Sequence, residues 1–202
     1  MSGIVAQNVL DGSGLVKAPE GGGAWTLLST QTASSSATLS FTSGIDSTYP
    51  IYVFKFINLH PATDNAEFNF NMSVDGGSNY NVTKTTTDFR AFQTEDGTST
   101  DLGYEGSLDL ENNTGFQIIA QSIDDANDAS ASGYIRLFNP SSTTFVKHFV
   151  GVSQLVYDST YSMCEHFAGY GNTTSAVDSI QFKMTSGNID AGKIKLYGIK
   201  DS

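Results

Sequence analysis

The chain has 202 residues, 39% of them hydrophobic, which suffices for one substantial core and is too apolar for a disordered acidic polymer. Its 21 acids against 10 bases leave a formal charge of −11, which argues against nucleic acid and anionic membranes as partners, because lysine and arginine hold both. Cys164 is the single cysteine, so no intramolecular disulfide framework carries the fold.

The first 23 residues are glycine-rich and predict an extended arm whose Ile4, Val5, Val9, Leu10, Leu15 and Val16 need a neighbouring surface to bury them. They lack the basic start and apolar run of a secretory signal, and no stretch of about 18 apolar residues follows, so membrane insertion is not expected and the product is expected to stay in the cytoplasm until it assembles. The sequons at Asn71, Asn81, Asn112 and Asn172 are then expected to be chance matches.

From residue 24 to 202 the pattern is one of alternation, and it predicts a single β domain. "AWTLLST" and "ATLSF" open it, the latter with Ala37, Leu39 and Phe41 inward. "IYVFKFINL", apolar on both faces, predicts a central or interface strand. In "EFNFNMSVDGG" Phe68, Phe70, Met72 and Val74 share one face and Asn69, Asn71 and Ser73 the other, which predicts a strand buried on one side. Residues 88–128 carry Asp88, Glu95, Asp96, Asp101, Glu105, Asp109, Glu111, Asp124, Asp125 and Asp128 against Arg90 alone, and predict an acidic, loop-rich excursion around the "GFQIIAQSI" strand. "GYIRLF", "TFVKHFVGVSQLVY", "MCEHFAGY", "SIQFKMT" and "GKIKLYGI" complete the strands. Turn formers separate these runs, and Pro19, Pro50, Pro61 and Pro140 fall in arms, turns or strand starts. The fold class is all-β: an antiparallel, jelly-roll-like β-sandwich of roughly nine or ten strands with an extended N-terminal arm.

Motifs with chemical meaning are few. "SVDGGSNY" resembles the Asp-box of sialidases, with Ser73, Asp75, Gly77 and Tyr80 in place and Asn79 where threonine stands. That box is a hairpin device rather than a catalytic one, it occurs once here, and a propeller needs a copy in each blade. Cys164 and His166 share a strand face, as a thiol–imidazole pair, as two metal ligands in search of others, or as ordinary surface residues. The two other histidines are His60 and His148. Asp124, Asp125, Asn127 and Asp128 offer oxygens of the kind Ca²⁺ prefers, without the alternating spacing and distal glutamate of a calcium loop. Tyr104, Tyr134, Tyr157, Tyr161 and Tyr170 are able to stack on sugar rings or to serve packing. Lys183, Lys193, Lys195 and Lys200 make the C-terminal stretch basic, so an acidic edge of one copy is able to face a basic edge of the next; the alternative is two solvated faces. No residue set is assigned to catalysis, a cofactor or a metal.

The Trp25 strand, the turn at 41–49, the loop Pro61, Ala62, Thr63 and Asp64, the hairpin at 73–80, "GYIRLFNPSSTTFVKHF" and the closing hairpin at 187–198 occur in an order that resembles a family of virion-associated proteins of tailed bacteriophages, particularly those of marine bacteria. The resemblance spans residues 11–199. It implies a β-rich, non-enzymatic component built in many copies into a virion, either a capsid decoration or cement protein held by its arm, or a tail or fibre component that binds host glycan. It also implies self-association, a trimer being favoured, and contact with capsid or tail proteins.

Overall fold

The computed structural model describes residues 25–157 and 160–200, so the arm expected at 1–23 lies outside the described residues. Twelve strands form, all of them paired antiparallel: β1 Trp25–Thr32, β2 Leu39–Phe41, β3 Ile51–Pro61, β4 Ala66–Ser73, β5 Lys84–Thr94, β6 Thr100–Tyr104, β7 Gln117–Ile123, β8 Ala131–Phe138, β9 Lys147–Tyr157, β10 Tyr161–Gly171, β11 Ser179–Met184 and β12 Ile189–Ile199. The only helical turn among the described residues is the 3₁₀ turn Gly106–Leu108. No helix there is long and apolar enough to cross a membrane.

Eight of the twelve strands trace a jelly roll. One layer reads β1-β12-β3-β8 and the other β2-β11-β4-β7. Each strand of the first half of the roll therefore pairs with its counterpart from the second half, which is the pattern of a long hairpin wrapped on itself. The remaining four strands are two insertions, β5 and β6 between β4 and β7, and β9 and β10 between β8 and β11. They pair with one another through β10 and β5, and extend the first layer to β1-β12-β3-β8-β9-β10-β5-β6. The two layers join at one corner through the single pair Ile123 and Tyr157.

β3 is central, as its two apolar faces require: it lies between β12 and β8, with Tyr52, Val53, Phe54 and Phe56 buried. Its inward phenylalanines meet those of the opposite layer. Phe182 stacks on Phe68 at 5.6 Å and 14°, and packs against Phe54 at 5.6 Å, Phe41 at 6.2 Å and Phe70 at 6.3 Å. Glycines let neighbouring strands of one layer carry large side chains. At Gly133 an added Cβ would lie 2.1 Å from the Val152 carbonyl oxygen and 2.6 Å from the Phe56 ring. Because a ladder carbonyl cannot step aside, Gly133→Ala is expected to cost about 1–3 kcal/mol, at the upper end of overpacking, read as a lower urea midpoint with unchanged slope.

Three expectations are corrected. Ala37, expected inward with Leu39 and Phe41, is exposed and precedes β2. The polar face of β4 is not solvated: Asn69, Asn71 and Ser73 are as buried as Phe68, Phe70 and Met72, while Val74 is exposed. The insertions cover that face, and Lys84 at the start of β5 donates to the Asn71 side-chain oxygen at 2.5 Å. Residues 88–128, expected to be loop-rich, hold most of β5, all of β6 and β7, and the 3₁₀ turn.

Candidate functional site

The hairpin at 73–80 shows what its residues are for. Ser73 Oγ donates to Asp75 Oδ1 at 2.6 Å and accepts from the Gly77 N–H at 3.1 Å. Asp75 accepts from the Asn79 N–H at 2.9 Å and from its side-chain amide at 2.7 Å, so Asn79 fills the role of the missing threonine. These donors, Ser73 first, hold the Asp75 carboxyl down at about 2. Gly76 and Gly77 sit at φ of +70° and +83°, conformations that disfavour a side chain. The buried Ser73 hydroxyl thus organises the turn, and Ser73→Ala is expected to cost about 1–3 kcal/mol in thermal or urea unfolding.

Strand register fixes which side chains face outward on the eight-stranded layer. One row crosses it in the order Lys195, Lys55, Tyr134, Val152, His166, Phe89 and Tyr104, each residue paired with the next. A second row holds Leu27, Tyr197, Val53, Arg136, Val150 and Ala168. The face is graded. At the β1-β12-β3 end Lys55 lies 4.4 Å above the Trp25 ring, which packs edge-on against Tyr197. Across the insertions it turns apolar, with Leu102 71%, Tyr104 65%, Phe89 47% and Val150 41% exposed. Phe89 and His166 stack at 4.9 Å and 2°. Thr87, Tyr134, Val150, Val152 and Ala168 line a shallow groove beside them.

Beneath this face the inserted strands bury charge. Glu165 on β10 accepts the Gln121 N–H at 3.2 Å and the Ser153 hydroxyl at 3.5 Å. Neither side-chain oxygen of Asp88 on β5 has a hydrogen-bond partner, although the residue is fully buried. The nearby Arg90 guanidinium is engaged by Glu105 at 2.9 Å. Burial, and then the charges of Glu165, Asp109 and Glu105, lift the Asp88 carboxyl to about 8, while burial lifts that of Glu165 to about 7.

The structure separates the other residues singled out in the sequence. Cys164 Sγ and His166 Nε2 lie 3.6 Å apart on the outer face, with the thiol pushed up by burial and by Glu165, away from the thiolate a nucleophile needs. His60 is on a different strand, 3.7 Å from Asp190. His148 tilts against Tyr170 at 6.1 Å. Asp124 is buried and accepts the Ala126 N–H at 2.6 Å, whereas Asp125, Asn127 and Asp128 face solvent. Among the described residues, no group of three or more His, Cys, Asp or Glu side chains is placed to hold a metal ion. Of the five tyrosines, Tyr104 is well exposed, Tyr134 belongs to the outer face beneath Arg136 at 5.2 Å, and Tyr157 packs on Tyr161 at 5.4 Å. Residues that sequence reasoning passed over are Phe89, Leu102 and Val150, whose exposure follows from the insertions pairing with each other. No family model, no curated protein and no solved structure matches this chain.

Proposed function

We propose that this chain is a non-enzymatic structural protein of a tailed-phage virion, a jelly-roll block that decorates or cements the capsid surface in many copies. The observation that carries the reading is the outer face of β9, β10, β5 and β6, where Val150, Phe89, Leu102 and Tyr104, with His166 stacked on Phe89, form a largely apolar surface on a protein of net charge −11. Contiguous exposed apolar surface of this kind marks a place where another protein sits. The jelly roll supports the reading by analogy, since viral capsid domains use it; lectins use it too. A subunit that binds only the assembled lattice stabilises that lattice by mass action.

Attachment is assigned to the arm, residues 1–23. Co-sedimentation with particles lacking the protein tests it: the full chain is expected to pellet with them, and a chain without residues 1–20 to remain in the supernatant while keeping its β spectrum. Equal pelleting of both chains contradicts the arm's role. A second reading, a tail component that binds host glycan, draws on the exposed rings of Phe89 and Tyr104. Binding on a glycan array that disappears in Tyr104→Ala would favour it.

A further inference from the structure

The two ends of the eight-stranded layer are unlike. At one end, β1 pairs among the described residues only with β12, and the outward side chains of this end include Trp25, Leu27, Lys55, Lys193, Lys195 and Tyr197. At the other end, β6 pairs among the described residues only with β5; Asp101 lies on it, Asp96 in the turn before it, and Glu105, Asp109 and Glu111 in the segment after it that runs along the rest of β5, beside exposed Leu102 and Tyr104. Arg90, the one base in that stretch, pairs with Glu105, which leaves Asp96, Asp101, Asp109 and Glu111 as the acids without a basic partner there. Among the described residues, each end therefore carries a strand edge without a partner strand together with exposed apolar side chains, and the ends differ in the sign of the charges named.

We propose that copies of this chain join head to tail, the acidic β5-β6 rim of one copy seating against the basic β1-β12-β3 rim of the next. The occupant is a second copy because each rim supplies what the other lacks. Like rims repel, which disfavours two-fold pairing of either end with itself, whereas unlike rims attract and bring two free strand edges together. Edge strands, here eight residues in β1 and five in β6, are normally guarded by charge, proline, shortness or a covering element. Here the guarding charges of one edge are the complement of those on the other. Leu102 and Tyr104 meeting Trp25 and Leu27 supplies the apolar contact, and the charges set partner and register, since exposed ion pairs alone contribute little. Contacts made by opposite ends of one subunit are heterologous, so the chain closes into a ring, the expected trimer among the possibilities, or extends as a row.

Light scattering on the 202-residue chain, with its 21.5 kDa protomer mass, gives the test. At low salt the mass is expected above that of a protomer, and to fall towards it near 1 M NaCl, where screening reaches about 3 Å. A purely apolar contact would persist or strengthen there. K193E/K195E and D101K/E111K, each checked for a native β spectrum, are each expected to weaken association at least tenfold. Mixed one to one, the two variants are expected to associate again, because each then offers the pole the other needs. A chain that is protomeric at low salt, an assembly indifferent to salt, or a mixture that stays protomeric overturns the interface. The salt series on the unaltered chain stands even if a variant fails to fold. This interface rests on the multicopy reading given above, yet the two fail separately. A chain that pellets with particles but never self-associates refutes the interface alone, and one that self-associates but never pellets refutes the particle role alone.

Discussion

Phe182→Ala is expected to lower the stability of the fold by about 3–5 kcal/mol, more than other single side-chain truncations in the β11 layer. The ring is fully buried and touches four other phenylalanines, Phe41, Phe54, Phe68 and Phe70, contributed by β2, β3 and β4. Removing it deletes the buried ring and leaves a cavity walled by large aromatics held on paired strands, which have little freedom to collapse inward. Phe182→Leu, which keeps much of the volume, is expected to recover roughly half of the loss. Urea unfolding followed by tyrosine and tryptophan fluorescence measures both. A change below about 1 kcal/mol for the alanine variant would mean that the two layers do not pack through this cluster.

Rising pH is expected to weaken the protein between about pH 4.5 and 7, on the order of several kcal/mol, opposite to the usual behaviour of carboxylates in ion pairs. The sign follows from the inserted strands. Asp88 and Glu165 keep their protons in the folded protein up to about 8 and about 7, against ordinary values of 3.8 and 4.5. Their contribution is therefore fully present below pH 4 and is lost as the pH climbs through the folded values. Glu67, also raised by burial, acts in the same direction. Lys84 works oppositely but in another window: burial lowers its ammonium to about 7, so its influence changes between pH 7 and 10.5. Asp75, held at about 2, acts only in acid. Asp88→Asn, which keeps the shape and cannot ionise, is expected to flatten the slope of Tm against pH and to raise Tm at pH 7.5 over the unaltered chain. An unchanged slope would place Asp88 in contact with water or a counter-charge.

Much of the architecture is legible in the sequence, because most of the strands obey one rule: apolar side chains alternate inward, and turn residues punctuate. Leu39 and Phe41, Ile180 and Phe182, and the doubly apolar β3 are read correctly on that rule. The insertions break it. On β5 the buried positions are Lys84, Thr86, Asp88 and Thr94, while Phe89 and Ala91 face out, so the alternation is present with its polarity inverted. A reading that equates polar with solvated sees a loop there. The polar face of β4 misleads for a related reason: Asn71 is buried under the loops that flank the first insertion, its amide donating to the carbonyls of Tyr80, Thr114 and Gly115 and its oxygen accepting from Lys84, and the pairing of β5 with β10 is a long-range event that no local window contains. The graded outer face shares this origin, since its rows become visible only when eight strands are set in register. The acids between residues 95 and 111 and the lysines at 193 and 195 are legible as blocks of opposite sign, whereas the place of Lys55 beside the latter needs the strand order.

The most direct test of the structural-protein reading is an image of purified phage particles labelled with gold-tagged antibody against this chain. Many labels per particle, distributed regularly over the head surface, are expected. Particles free of label, with the protein recovered only from the soluble lysate, would contradict that reading.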